Sequence, residues 1–209
     1  MARYTSPMAD GETGAAEGRR LKGEERRDAI LAAAGRALAD QGFLPLPYEA
    51  IAREAGISKA LIYAHFATQA SLYNALLEQR LTELADELSL VTAGDFEDEA
   101  VGAALAYFDE AAEHGPMLNL LLTDGYLDAE RSADAKAMRN RLWRRFVRGS
   151  RSYVTLPAHE RVAALAMILA IPEDLGRLVH RGEMDAGRAR TLCGDLVRSA
   201  VRGLRDAQS

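Results

Sequence analysis

Apolar residues recur every three or four positions along most of the chain, which is the spacing of amphipathic α-helices. Alternating apolar and polar residues bounded by hairpin turns, the pattern of a half-buried strand, are nearly absent. We therefore expect an all-α protein of about nine helices, with a kink at Pro172. The predicted helices cover residues 24–41, 48–55, 58–66, 69–91, 96–113, 117–122, 132–153, 157–181 and 185–206.

Composition excludes several protein classes. Of 209 residues, 48% are hydrophobic and 27% are charged, which is incompatible with wholesale disorder. The single cysteine, Cys193, excludes an internal disulfide and a thiolate metal cluster. No run reaches the roughly 20 apolar residues of a membrane span, and residues 1–18 lack a signal-peptide core. We expect a cytoplasmic protein with no cofactor, metal or membrane partner, and with a disordered tail over residues 1–18.

The net charge of −5 is unevenly distributed. Residues 81–209 carry 16 basic and 21 acidic side chains, whereas residues 19–69 carry eight basic and six acidic ones. An acidic protein can still bind DNA where its positive charge is local and faces phosphates. The excess over residues 19–69 is therefore either a nucleic-acid contact or an ordinary solvated surface.

Residues 48–66 have the pattern of a helix-turn-helix, two short helices joined by a turn that contains glycine. Gly56 can adopt the left-handed conformation of a tight turn, and Ser58 can cap the following helix. On a helical wheel Ile62 and Phe66 face inward, while alanines and longer polar residues face outward, as contact with a major groove requires. The same pattern also fits a purely structural hairpin. The candidate DNA contacts here are Tyr48, Ser58, Lys59, Ala60, Leu61, Tyr63, Ala64 and His65.

A short basic arm precedes the first predicted helix. We expect Arg19, Arg20 and Lys22 to contact DNA, because a disordered basic lead-in can follow phosphates or enter a minor groove. Neighbouring acids such as Glu17 and Glu24 leave an ordinary solvated tail as the alternative.

A family resemblance rests on the same region. Residues 52–66 read Ala-x-x-Ala-Gly-Ile-Ser-x-x-x-Ile-Tyr-x-His-Phe, and residues 30–34 read Ile-Leu-x-Ala-Ala. This resembles the TetR family of bacterial transcriptional repressors over about residues 26–76. The resemblance implies a homodimer with an N-terminal three-helix DNA-binding domain, residues 19–68, and a C-terminal effector-binding and dimerisation domain, residues 69–209. Leu46-Pro47 and Thr68-Gln69-Ala70 depart from the family pattern, which has a hydroxyl pair and a lysine there.

The C-terminal half offers candidates for a ligand pocket. Aromatic and flexible apolar residues at helical spacing line either a pocket or a plain core. Six arginines between residues 139 and 151 either form a solvated face or include one that turns inward to an anionic effector. The candidate pocket residues are Tyr107, Phe108, Leu118, Leu121, Leu122, Tyr126, Trp143, Phe146 and Met167.

The last two predicted helices carry broad apolar stripes. Such stripes close an intrachain core or, as the resemblance favours, build a four-helix bundle with a second copy. The candidate interface residues are Leu165, Leu169, Leu192, Leu196, Ala200 and Leu204.

Together these patterns predict a ligand-responsive repressor. It binds a palindromic operator in double-stranded DNA as a homodimer and responds to a small apolar or amphipathic effector. The alternative from another class is an all-helical enzyme or small-molecule-binding protein with a purely structural hairpin, although no phosphate-binding loop or catalytic grouping is present. The same residues also fit a transcriptional activator.

Overall fold

A computed structural model describes residues 10–91 and 94–206, with the backbone alone for residues 10–21 and Tyr126. The all-α prediction is confirmed, since these ranges contain helices and no strand. None of these helices is long and apolar enough to cross a membrane. The helices are α1 (Asp10–Gln41), α2 (Tyr48–Ala55), α3 (Lys59–His65), α4 (Gln69–Leu90), α5 (Phe96–His114), α6 (Met117–Thr123), α7 (Gly125–Glu130), α8 (Ala133–Gly149), α9 (Ala158–Ile168), α10 (Ala170–His180) and α11 (Ala186–Asp206).

Some helix boundaries differ from the prediction. α1 begins at Asp10 rather than at residue 24, so residues 10–18 of the expected disordered tail are helical, and the rest of that tail lies outside the described residues. α7 has no predicted counterpart, and α8 ends before a 3₁₀ turn over Ser150–Ser152. The predicted kink divides α9 from α10 at Leu169, because the ring of Pro172 is incompatible with a regular helix through the carbonyl four residues earlier.

Two apolar clusters form the core. The first packs α1, α2 and α3 against the N-terminal half of α4 and against α6. The second joins α5 to α9, α10 and α11. Because the first cluster continues across the predicted domain boundary after residue 68, α4 belongs structurally to both halves of the chain.

A glycine allows α10 to pack closely against α5. A Cβ atom on Gly176 would lie 2.5 Å from the Cβ of Ala111 and 2.9 Å from the carbonyl oxygen of Phe108. Both distances are far below van der Waals contact, so a larger residue would force the two helices apart.

Buried charges fasten the ends of other helices. The Arg131 side chain is 1% exposed and donates to the carbonyls of Leu121 (3.0 Å) and Leu122 (2.9 Å) at the end of α6. Glu97, at the start of α5, pairs with Arg198 (2.9 Å) and Arg202 (2.8 Å) of α11. The hydrogen bond from Arg202 is the main cause that lowers the pKa of Glu97 to about 2.

We predict that Gly176→Ala destabilises the protein by about 1–3 kcal/mol, because the added methyl overpacks the contact between α5 and α10. Thermal or urea unfolding measures the change. Gly203→Ala on α11 is the matched control. Nothing lies within 4 Å of a Cβ there, so this variant gains up to about 1 kcal/mol from helix propensity. Equal stability of Gly176→Ala and the unmodified protein would contradict the packing account.

Candidate nucleic-acid interface and internal cavity

The turn between α2 and α3 has the geometry expected from its sequence. Gly56 caps α2 in the left-handed region, with φ 65° and ψ 31°. The N–H of Ile57 then donates to the carbonyl of Ala52 at 3.0 Å. Ser58 caps α3, and its Oγ accepts a hydrogen bond from the N–H of Leu61 at 3.3 Å. These contacts fix the orientation of α3 relative to α2.

α3 presents its small and polar residues outward. Ile62 and Phe66 are buried in the first core cluster, with exposures of 0% and 3%. Tyr63 is 52% exposed, and Ala60 and Ala64 are exposed as well. The predicted contacts that remain exposed or half-buried are Ser58, Lys59, Ala60, Leu61, Tyr63, Ala64 and His65.

Tyr48 does not belong to this surface, so the prediction that it contacts DNA is wrong. Its side chain is buried, and its hydroxyl donates to the carbonyl of Phe66 at 3.2 Å. The ring meets that of Tyr63 edge-on, with centroids 4.7 Å apart. Tyr48 therefore braces the C-terminal end of α3, and Tyr63 is the exposed phenol of the pair.

Lys59 has a partner that the sequence pattern does not indicate. Its ammonium lies 2.5 Å from Oε1 of Glu49, the second residue of α2. This hydrogen bond raises the pKa of Lys59 and lowers the pKa of Glu49. Both side chains are exposed, so the pair adds little stability. Its consequence is electrostatic, because Glu49 neutralises the cation on the outward face of α3.

The basic arm lies within α1 instead of preceding a helix. The backbone of Arg19 and Arg20 is helical, their side chains lie outside the described part, and Lys22 is exposed. Arg27 lies two turns beyond Arg20 on α1, and its guanidinium is 5.1 Å from the centre of the Phe66 ring. Contact of Arg19, Arg20 and Lys22 with DNA stays a prediction, and it would come from a helix.

Tyr73 of α4 holds the loop that leads into α2. Its buried hydroxyl accepts a hydrogen bond from the N–H of Leu46 (2.6 Å) and lies 3.3 Å from the carbonyl of the same residue. Gln69 donates to that carbonyl as well, at 3.0 Å. The helix-turn-helix is therefore attached to α4 by polar contacts as well as by the apolar core. In the sequence, Tyr73 is simply one apolar position of a predicted helix.

A cavity of about 360 Å³ adjoins the C-terminal half of α4. This volume is within the range of small-molecule sites, ~300–1,000 Å³. α5, α6, α8, α9 and α10 complete its walls, with Leu169 at the break between the last two. α4 contributes Leu81, Leu84 and Leu88 to the wall, and Val91 follows directly after the helix.

Five of the nine residues predicted to form a ligand pocket line this cavity, and ligand binding there stays a prediction. The prediction of a pocket position is wrong for Phe108 and Leu121, which are buried in the core clusters. It is also wrong for Met167, which is 76% exposed on α9. The side chain of Tyr126 lies outside the described residues. The candidates that line the cavity are Tyr107, Leu118, Leu122, Trp143 and Phe146.

A carboxylate and its donors form a polar group in the cavity wall. Glu173 of α10 accepts hydrogen bonds from Nδ2 of Asn119 (2.5 Å) and from the hydroxyl of Tyr107 (3.5 Å). Burial raises the pKa of Glu173 and also that of Tyr107. Glu99 of α5 also lines the cavity, and it pairs with Arg145 of α8 at 3.7 Å.

The predicted interface residues divide into two groups. Leu165 is fully buried in the second core, so it is wrong as an interface residue, whereas Leu169 is half-buried and lines the cavity. Leu192 and Leu196 are 38% and 43% exposed, one turn apart on α11. Ala200 and Leu204 are half-buried against the second core. The open apolar face is therefore shorter than predicted, although Met167 and Val162 of α9 are exposed too.

Comparisons with known proteins agree with this architecture. Residues 30–76 match the model of the family described as bacterial regulatory proteins, tetR family. The chain is 30% identical over 150 residues to the HTH-type transcriptional regulator BetI of Rhizobium meliloti, which covers 68% of this chain and 74% of that protein. The chain belongs to the TetR family.

A second relative supports the family assignment, and a solved structure supports the fold. The HTH-type transcriptional activator FasR of Mycolicibacterium smegmatis is 30% identical over 112 residues, which is 53% of this chain and about half, 51%, of that protein. The crystal structure of a TetR-like regulator from Rhodococcus sp. RHA1 has a TM-score of 0.66 at 18% identity, over 85% of this chain and 94% of the other. The prediction of a DNA-binding transcriptional regulator rather than an enzyme is confirmed by these relatives.

We predict that Glu49→Gln strengthens DNA binding by about three- to tenfold and makes the salt slope steeper by about 1, because Lys59 is released to pair with a phosphate. Fluorescence anisotropy at several salt concentrations measures both quantities. Glu54→Gln is the control on the same helix, since Glu54 pairs with Arg36 of α1 (2.7 Å) instead of α3. An affinity as low as that of the unmodified protein would show that Lys59 does not reach DNA.

Proposed function

We propose that this TetR-family chain is a ligand-responsive regulator that binds a palindromic operator as a homodimer. The observation that carries the proposal is the exposed face of α3 on a hairpin attached to α4, the helix whose other half walls the cavity. In a dimer, two copies of α3 enter successive major grooves about 34–36 Å apart.

The residues on the α3 face have complementary roles in this proposal. Ala60 and Ala64 let the helix backbone approach the floor of the major groove. Tyr63 and Lys59 reach further and bind base edges or phosphates. Ser58 and His65 lie at the two ends of α3, where they contact the flanking phosphates.

The exposed apolar residues of α9 and α11 support a dimer. Leu192 and Leu196 share one side of α11, and Met167 is the most exposed large apolar residue of α9. Exposed apolar patches on a soluble domain commonly mark association surfaces. A face on two helices pairs with its own copy about a twofold axis to give a four-helix bundle.

α4 provides the physical link between cavity and operator. Tyr73 holds the hairpin near one end of α4, and Leu88 lines the cavity near the other, about 22 Å away at the rise of an α-helix. A ligand that fits the cavity best when α4 is displaced favours a dimer with a different α3 spacing, and so weakens operator binding. The protein acts as a repressor when it binds operators that overlap promoters, and release of the DNA by the ligand relieves this repression.

Substitutions on α3 test the DNA-binding role. We expect Tyr63→Ala and Lys59→Ala to weaken binding to DNA from upstream of the protein's own gene by about 5- to 30-fold each, or about 1–2 kcal/mol. In the Glu49→Gln background, where Lys59 is released from Glu49, Lys59→Ala should also reduce the salt slope by about 1. Gel shift or anisotropy gives the affinities, and Arg188→Ala on α11 is the control. Unchanged affinity in both α3 variants would remove α3 as the recognition helix.

A charge on α11 tests the dimer. We expect Leu196→Glu to give monomers in analytical ultracentrifugation and operator binding at least about 100-fold weaker, because a dimer places both recognition helices at once. Leu90→Glu is the matched control, since Leu90 is 79% exposed at the end of α4 and lies outside the proposed interface. A Leu196→Glu protein that remains dimeric would place the interface elsewhere.

A further inference from the structure

The charges in the cavity wall distinguish between classes of ligand. The wall contains two acids, Glu99 and Glu173, and two cations, Arg139 and Arg145. Arg145 pairs with Glu99 at 3.7 Å, so these two charges offset each other. The charge that a ligand meets therefore depends on Glu173 and Arg139.

Arg139 lines the cavity and is half-buried. Its Nη2 contacts the side chain of Asn140 at 3.5 Å, in an exposed position. Water therefore hydrates this guanidinium and weakens its attraction for a group inside the cavity.

Glu173 is held inside the cavity wall. Asn119 and Tyr107, from two other helices, donate to its carboxylate and fix its orientation. Both donors are neutral, and no salt bridge within 4 Å joins Glu173 to a cation in the described part of the chain. Arg177, one turn along α10, attracts the Glu173 carboxylate from a greater distance, but its guanidinium pairs with Asp174 at 2.5 Å. Loss of hydration outweighs this attraction and raises the pKa of Glu173, so a cationic ligand would provide the direct countercharge that its neutral partners lack.

The rest of the cavity suits an apolar body attached to such a cation. Trp143, Phe146 and leucines of α4 line the wall, together with the ring of Tyr107. Aromatic faces attract a nearby ammonium group, and the leucines accept only apolar surface.

We propose that the cavity takes a small amphiphilic amine, with its protonated nitrogen at Glu173 and its apolar body along Trp143 and the α4 leucines. This inference rests on the proposed function, in which the cavity is the effector site, and it adds the chemical class of the effector. The carboxylate accepts the ammonium hydrogens, while Asn119 and Tyr107 keep it in position.

A matched set of probes that differ in the polar group tests the inference. Octylamine, octanoate and octanol have similar apolar bodies and carry a cation, an anion and a neutral group at neutral pH. Trp143 is the only tryptophan of the chain and lines the cavity, so its fluorescence reports binding. Calorimetry measures binding that leaves the fluorescence unchanged. We expect octylamine to bind at least about tenfold more tightly than the other two probes.

Variants assign this preference to one carboxylate. Glu173→Gln keeps the size of the side chain, and we expect it to lower octylamine affinity by at least about tenfold while leaving octanol affinity unchanged. Glu160→Gln, at an exposed acid of α9 that does not line the cavity, is the control that keeps the preference for the amine. Equal binding of all three probes, tighter binding of octanoate, or no octylamine binding at millimolar concentration would overturn the inference. Equal losses for octylamine and octanol in Glu173→Gln would also overturn it.

Operator affinity, measured with and without octylamine, separates the inference from the proposed function. Intact operator binding by a protein without preference for the amine would overturn only the chemical class of the effector. Preferential amine binding that leaves operator affinity unchanged would support the ligand class and contradict the ligand response.

Discussion

The hydroxyl of Tyr73 fixes the loop before α2 to the long helix α4, and the functional geometry of the molecule depends on this attachment. The Tyr73 hydroxyl contacts both the N–H and the carbonyl oxygen of Leu46. The site is buried, so leaving one of these polar groups unpaired would cost free energy of folding. The loop is therefore held at a defined point of α4. Because Gly56 and Tyr48 fix α3 relative to α2, the orientation of the recognition face follows from the orientation of α4.

α4 also connects the cavity of the C-terminal part to the hairpin of α2 and α3. Its leucines wall the cavity while its N-terminal turns belong to the core of the DNA-binding hairpin. The first core cluster extends into α6, whose end is held by the buried Arg131 and whose Asn119 contacts Glu173. Close-packed interiors transmit small displacements instead of absorbing them, so the ligand that we propose at Glu173 would act on both α4 and α6. In the proposed function, α4 and α6 thus couple ligand chemistry to DNA geometry.

Sequence predicts this fold well where the decisive interactions are local. The turn at Gly56 and the cap at Ser58 depend on a few adjacent residues, and both are found as expected. Tertiary contacts decide the rest. Phe108 and Tyr107 are neighbours on α5, yet one is core and the other lines the cavity, because helix rotation is set by packing. Likewise Lys59 pairs with Glu49 across two helices, a contact without a pattern at fixed spacing. The position of Glu173 among three helices has no local signal either.

The distance between the two α3 helices of an operator-bound dimer is the most direct test of the account. Ala67→Cys provides an exposed site for a spin label just after α3 and outside the candidate DNA contacts, while the native Cys193 is fully buried and burial raises its pKa to about 11, so it stays unlabelled. Pulsed dipolar spectroscopy should then give one narrow distance that corresponds to a helix separation of about 34–36 Å, once the label length is subtracted. No dipolar pair, or a separation that cannot span one turn of the duplex, would contradict the assignment of α3 as the paired reader of DNA.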